Sequence, residues 1–252
     1  MSFFSIESLK QDFANIGIVK GDTVLVHSSF KAIGDVENGA QGFFEALFAV
    51  VGETGTVVFP TLSFTPVCQT LVFDQANTPS CVGYLSETFR KLPGVCRSIH
   101  PTHSCAAIGP ETAYLLNGHE NDRTPNGQNS PFTKLPLIGG KILMLGCGMA
   151  PMTTMHAVEE TVGDMFLSED TREYTLILAD GTSVKQQHRG HDFVGKKIGQ
   201  HYSRLEETLP AHAFQKGTVG AAPSFLIDAA ELWKFGHKTM MQDPYFFVDC
   251  LG

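Results

Sequence analysis

His156, Glu159 and Glu160 stand at i, i+3 and i+4, so on a helix either carboxylate can face the imidazole. A carboxylate that orients a histidine and stabilises its protonated form makes a general base that works near neutral pH. The surrounding segment, KILMLGCGMAPMTTMHAVEE from Lys141 to Glu160, predicts the setting for that pair. Ile142 to Leu145 is an apolar run of the kind a buried strand makes, and Gly146, Cys147 and Gly148 break it. Pro151 ends a short loop, and Thr153-Thr154 are good N-cap types for the helix that follows. Strand, tight turn and helix in that order is where open α/β sheets place their chemistry. The competing reading is a capped helix with a solvated histidine and two surface glutamates.

Three other histidine segments invite the same question. His27-Ser28-Ser29 ends an apolar strand, where hydroxyls and backbone N–H groups can hold a carbonyl or phosphate oxygen, or simply make a turn. Arg97 to Ser104 (RSIHPTHS) packs one arginine, two histidines and three hydroxyl side chains into eight residues, dense for a structural turn. Arg97 is of the type that binds phosphate. His100 and His103 are possible metal ligands, but residues three apart on a strand face opposite sides. His188-Arg189-Gly190-His191-Asp192 reads first as a solvated turn, with a metal pair or a substrate-contacting loop as alternatives. Cys147 lacks the spacing of a nucleophile elbow and reads as core or turn packing.

The elements that must position these groups alternate in the manner of an α/β chain. Ser5 to Gly17 predicts an amphipathic helix, Thr23 to Val26 a strand, Gly39 to Val51 a strongly apolar helix, and Thr56 to Phe59 another strand. Residues 63–82 and 118–131 read as long polar loops, the first a lid or binding loop. Leu85 to Leu92 predicts a helix, and Gly94 to Gly109 two strand pieces joined at His100-Pro101. Tyr174 to Leu178 and Thr182 to Gln187 predict a hairpin about Ala179-Asp180-Gly181. Helices are predicted near Tyr202 to Leu209 and over Ser224 to Phe235. With no internal repeat or linker, residues 1–252 read as one domain.

Composition narrows the function classes. The chain has 252 residues, 42% of them hydrophobic and 17% charged, enough for a sizeable core. No run approaches a membrane span, and the N-terminus lacks the pattern of a signal peptide. The six cysteines form no CxxC pair or disulfide-scaffold spacing, so they predict reduced thiols in a cytoplasmic protein. A formal charge of −8, from 26 acidic and 18 basic residues, argues against nucleic acid as a partner. It is compatible with a cationic substrate.

Taken in order, these segments resemble the aminoglycoside 3-N-acetyltransferase family, the antibiotic N-acetyltransferases that do not share the GCN5-like fold. The resemblance rests on VLVHSSF at Val24 to Phe30, GTVVFPT at Gly55 to Thr61 and RSIHPTHSCAAIG at Arg97 to Gly109. It continues through SPF at Ser130 to Phe132, the Ile142 to Glu160 segment, and GTVGAAPSFLID at Gly217 to Asp228. Each element is a modest signal, and together they are specific and span most of the chain. The resemblance implies a three-layer α/β/α sandwich around a central mixed sheet, and direct transfer of acetyl from acetyl-CoA to an amine.

Carried over residue by residue, it makes His156 the general base and Glu159 the group fixing its tautomer, with Thr153 helping to hold the network. Some relatives have aspartate where Thr153 stands, so a full Asp-His-Glu triad is not evident. The resemblance implies that His27, Ser28, Ser29, Phe30, His100, Thr102, His103 and Ser104 line the pantetheine channel, with Arg97 toward the CoA phosphates. Acceptor carboxylates are expected from Asp74, Glu120, Asp122 and Glu160, with Asp164, Glu169 and Asp170 as further candidates. The expected partners are acetyl-CoA and a small amine acceptor, without a metal, nucleic acid or membrane; the enzyme would act as a monomer or homodimer. An aminoglycoside modified at the 3-amino group of 2-deoxystreptamine is the first expectation, and a non-antibiotic amine metabolite the alternative. A metal-dependent hydrolase using His100, His103, His156, His188 and His191, or a non-catalytic binder of a cationic molecule, ranks below both.

Overall fold

Three apolar runs make the parallel centre of a seven-stranded sheet. The computed structural model describes residues 2–251. In chain order the sheet strands are β1 (Thr23–Ser28), β2 (Thr56–Pro60), β3 (Cys96–Arg97), β4 (Cys105–Ile108), β5 (Lys141–Leu145), β6 (Phe214–Val219) and β7 (Ala222–Asp228). Their spatial order is β6-β7-β5-β1-β2-β4-β3. β1 runs parallel to β2 and β5, while β4, β3, β7 and β6 add antiparallel strands outside them.

Alternation along the central strands divides the core into two layers. Val24, Val26, Val57, Phe59, Leu143 and Leu145 face one side, where they pack with Leu9 and Phe13 of α1 (Ile6–Asn15) and Phe43, Phe44 and Leu47 of α2 (Gly39–Val51). Leu25, Val58, Ile142 and Met144 face the other, against Met155 and Val158 of α3 (Thr154–Val162) and Leu232 and Met240 of α4 (Ala229–Gln242). Helices on both faces of a mixed sheet are the three-layer α/β/α arrangement that the motifs imply. No described helix is long and apolar enough to cross a membrane.

Two segments differ from the sequence reading. Ser224 to Phe235 is not one helix: Ser224 to Asp228 belongs to β7, paired in register with β5, and Asp228 then caps α4 by accepting from Ala230 N and Glu231 N. A short apolar run does not reveal its period, and the open edge of β5 decides in favour of strand. Residues 63–82 hold a short helix, Phe64–Thr70, and a strand, Val72–Asp74. That strand adds in parallel to a hairpin longer than its sequence signal, formed by Leu167–Ile177 and Ser183–His191. Near its end Arg189 pairs with Thr171 but His191 pairs with Leu167, so Ser168, Glu169 and Asp170 bulge opposite Gly190.

The helix that carries the acid–base residues follows β5 through a turn at Gly146, which has φ +66°. A Cβ there would also lie 2.6 Å from the Ala32 Cβ, so glycine meets both demands. Thr153 has helical backbone angles and makes no side-chain capping bond; the turn is closed instead by His156 N donating to Thr153 O at 3.0 Å.

Candidate active site

On α3, His156 and Glu159 meet as the i, i+3 spacing predicts: His156 Nδ1 lies 2.9 Å from Glu159 Oε2. The Tyr202 hydroxyl completes the set, 2.8 Å from His156 Nδ1 and donating to Glu159 Oε1 at 2.5 Å. Burial, reinforced by the Glu159 carboxylate, holds Tyr202 well above the ordinary phenol range, so it keeps its proton. Glu159 therefore accepts from both neighbours, and this partner set assigns the Nδ1–H tautomer to His156 with the lone pair on Nε2. The Gln200 amide nitrogen lies 2.9 Å from Tyr202 Oη and 2.9 Å from His156 Nε2. One amide hydrogen serves the tyrosine while the other occupies the lone-pair position that an incoming N–H would take. Glu160 serves different partners, with Oε1 accepting from Asn126 N at 2.8 Å and lying 3.6 Å from His191 Nε2.

His156 opens onto a cavity of about 540 Å³, on whose wall lie His103, His191, Phe193, Gln200 and Tyr202. Its remaining polar lining includes Thr102, Ser168, Asp170, Arg172 and Asp192, two carboxylates against one guanidinium. A narrower cavity of about 80 Å³ adjoins it, sharing Leu62, Pro151 and Thr153 and reaching His27, Ser28 and Cys147. Both lie outside the carboxyl ends of β1, β2 and β5, the crevice where such sheets bind ligands. His27 contributes a buried Nε2 with no protein partner, and burial lowers its pKa to about 3, so it presents a neutral imidazole. Burial likewise raises Cys147 to about 11, which keeps it a thiol at neutral pH.

The structure brings together only part of the expected site. His156, Glu159, Thr153, Thr102, His103, His27 and Ser28 meet at the two adjoining cavities. Ser29 donates its N–H to Leu145 O at 2.8 Å, and Phe30 packs its ring on Tyr84 and Phe43, so both secure the strand end. His100 uses Nδ1 to accept from His103 N and Nε2 to reach Thr124 O, which leaves neither nitrogen for a ligand. Ser104 is fully buried and bonded to Thr61.

Asp74, Glu120 and Asp122 do not reach the His156 cavity. Asp74 caps a turn through Asn77 and Ala76, and those bonds, the Asn77 side chain foremost, hold its pKa low. Glu120 borders a separate cavity beside Arg97. Asp122 is buried, binding Asn129 N and Nδ2, and burial raises its pKa. Charged side chains in polar loops look available in sequence, but here the loops consume them in holding their own backbones. The carboxylates that do reach the cavity, Asp170 and Asp192, come from the hairpin bulge and the residue after His191.

Arg97 is a structural clamp rather than a surface phosphate ligand. Only 8% exposed, it donates to Ser104 Oγ, Thr78 O, Gln75 O and Thr61 O, and its guanidinium lies 4.9 Å over the Phe73 ring. It ties residues 61, 75 and 78 to the edge of the sheet. Arg97→Ala is expected to lower unfolding free energy by about 3 kcal/mol, because it leaves several buried acceptors without donors. Urea denaturation measures this, and a loss below about 1 kcal/mol would contradict the clamp.

Tyr202, Gln200 and His191 carry no sequence signal comparable to the HAVEE spacing. Tyr202 opens a 3₁₀ turn, Tyr202–Arg204, and Gln200 ends a short strand, Ile198–Gln200, paired with Val248–Cys250. A tyrosine and an amide two positions apart become a base-orienting pair only through tertiary packing.

The comparisons with known proteins follow this geometry. The family described as aminoglycoside 3-N-acetyltransferase matches residues 25–241. Aminoglycoside N(3)-acetyltransferase VII of Streptomyces paromomycinus is 31% identical, covering 90% of this chain and 88% of its own length. Aminoglycoside N(3)-acetyltransferase IV of a Salmonella species is 30% identical, covering 93% of this chain and 86% of its own. Among solved structures, aminoglycoside acetyltransferase AAC(3)-Xa superposes with a TM-score of 0.82 at 31% identity, covering 96% of this chain and 94% of that one. AAC-IIIb solved with CoASH superposes with a TM-score of 0.82 at 26% identity, covering 96% and 97%. Family match, full-length relatives and superposed sheets agree: the chain belongs to the aminoglycoside 3-N-acetyltransferase family of acyltransferases.

Proposed function

We propose that this chain transfers the acetyl group of acetyl-CoA directly to the 3-amino group of a 2-deoxystreptamine aminoglycoside, with His156 as general base. The observation that carries the reading is the His156–Glu159–Tyr202 set at the wall of the cavity, with the Nε2 lone pair assigned toward the acceptor side. An ammonium cannot attack a thioester, so a base must free the nitrogen lone pair. The narrow cavity beside it suits a thioester arm: Val26, Leu62 and Val82 offer apolar wall, and His27 and Ser28 offer polar contacts. Asp170 and Asp192 favour a cationic acceptor in the wider cavity. Relatives support both ligands, since AAC-IIIb was solved with CoASH and AAC-VIa with sisomicin.

The test is thiol release from acetyl-CoA with 2-deoxystreptamine aminoglycosides and simple amines offered as acceptors. Aminoglycoside-dependent release, with the product acetylated at the 3-amino group, is the expected result. Release with simple amines alone would discard the antibiotic acceptor and keep the acyl transfer. Absence of release with every acceptor, together with absence of acetyl-CoA binding, would overturn the reading.

A further inference from the structure

Direct acetyl transfer to an ammonium requires two nitrogen-bound protons to leave, and His156 holds one at a time. A second histidine stands beside it: the ring centroids of His156 and His191 are 4.5 Å apart, and both line the same cavity. Nitrogen and oxygen atoms of His156, Glu159 and His191 all lie within 4.8 Å of one another, one compact acid–base set. The His191 side chain is 8% exposed, and its Nε2 is buried with no hydrogen-bond partner, 3.6 Å from Glu160 Oε1. The hairpin bulge at 168–170 sets the register at His191, and such irregularities re-aim side chains beside active sites. Two consecutive glutamates of α3 thus each face one histidine, Glu159 with His156 and Glu160 with His191.

We propose that His191, backed by Glu160, is the second proton acceptor of the reaction, an inference that rests on the acetyl-transfer reading above. The acceptor arrives as R–NH₃⁺, and one N–H bond breaks to give its proton to His191. The freed lone pair forms the C–N bond to the acetyl carbon, the second N–H proton passes to His156, and the C–S bond breaks with its electron pair on sulfur. His156 returns its proton to the thiolate, giving CoA–SH, and His191 releases its proton to solvent. The charged and titratable groups facing His191 are Glu159, Glu160 and His156 from α3 and His103 from the segment before β4. Burial and the His156 charge favour the neutral ring, and the two glutamates oppose them, so His191 is kept empty until an ammonium arrives.

The experiment is the pH profile of kcat/KM for the aminoglycoside in wild type, His191→Gln and Glu160→Gln, read by thiol release. Glu160→Gln retains an oxygen to accept from Asn126 N, so it keeps the test open if the histidine variant does not fold. Near pH 6.5 both variants should fall, His191→Gln about 30-fold and Glu160→Gln less. The deficit should shrink to within about threefold at pH 9, where much of the acceptor is already the free amine. A deficit that is constant across pH, or none at all, would overturn the proposal. Wild-type turnover in the same assay tests the acetyl-transfer reading separately, so failure of one is distinguishable from failure of the other.

Discussion

Replacing His156 with alanine is expected to lower turnover about a hundredfold or more while leaving acetyl-CoA affinity nearly unchanged. Positioned general bases contribute roughly 10²- to 10⁴-fold, and a hundredfold corresponds to about 2.7 kcal/mol of transition-state stabilisation. The geometry places that contribution in His156 and not in its supports. Glu159 and Tyr202 both act on the Nδ1 side, fixing the tautomer and ring orientation, and neither bears the lone pair assigned to Nε2. Tyr202→Phe should therefore cost less, about tenfold, since Glu159 still accepts from Nδ1. Glu159→Gln should fall between the two, because an uncharged partner no longer stabilises the imidazolium formed when the proton arrives. All these losses should appear in turnover, measured as thiol release at saturating acetyl-CoA, with binding checked by calorimetry. A His156→Ala enzyme that keeps more than about a third of wild-type turnover would remove His156 from the chemistry.

How far the site is legible in the sequence depends on which contacts are local. His156 and Glu159 are readable because three residues on a helix fix their separation wherever the helix lies. The central strands are readable because burial on both faces writes itself as unbroken apolar runs at Val24 to Val26 and Ile142 to Leu145. What sets the base is not local. Tyr202 and Gln200 lie more than forty residues along the chain and reach His156 only because residues 198–200 pair with 248–250. His191 sits in a polar run that reads as a solvated turn, yet the hairpin extends to it and buries it against α3. Arg97 shows the opposite error: its neighbours make it look like a ligand for phosphate. The carbonyls of residues 61, 75 and 78, which consume its donors, are brought there by a loop whose path the sequence does not state. The strand at Ala222–Asp228 is hidden similarly, since its partner β5 lies about eighty residues earlier.

Lowering the pH from 7.5 to 5.5 is expected to remove most of the folded stability, and the buried histidines are the reason. His27, His100, His103, His119 and His188 are all at most 8% exposed. Burial is the first cause of a lowered pKa in each, to about 3 for His27 and His119 and about 4 for His188, with His100 and His103 also well below normal. In the unfolded chain each regains a pKa near about 6.5. Above that value neither state binds the proton, so the histidines cost nothing. As pH falls below it, the unfolded state takes up protons that the folded state refuses, and unfolding becomes more favourable until the folded values, about 3 to 4, are reached. At pH 5.5 the linkage amounts to about 1.4 kcal/mol for each histidine, or about 7 kcal/mol for the set, comparable to the whole stability of an ordinary domain. Carboxylates do not offset this, because most remain ionised in both states at that pH. The arrangement itself explains why the effect concentrates here: His100 stacks on His119 at 4.8 Å and meets His188 at 5.1 Å, so a proton on one opposes a proton on the next. Urea midpoints measured from pH 7.5 to 5.5 should fall steeply, with the steepest slope below about 6.5. His119→Gln, which removes one of these titrating groups, should flatten that slope by about one proton. A midpoint that stays level across this range would mean that these imidazoles are protonated in the fold, contrary to their burial.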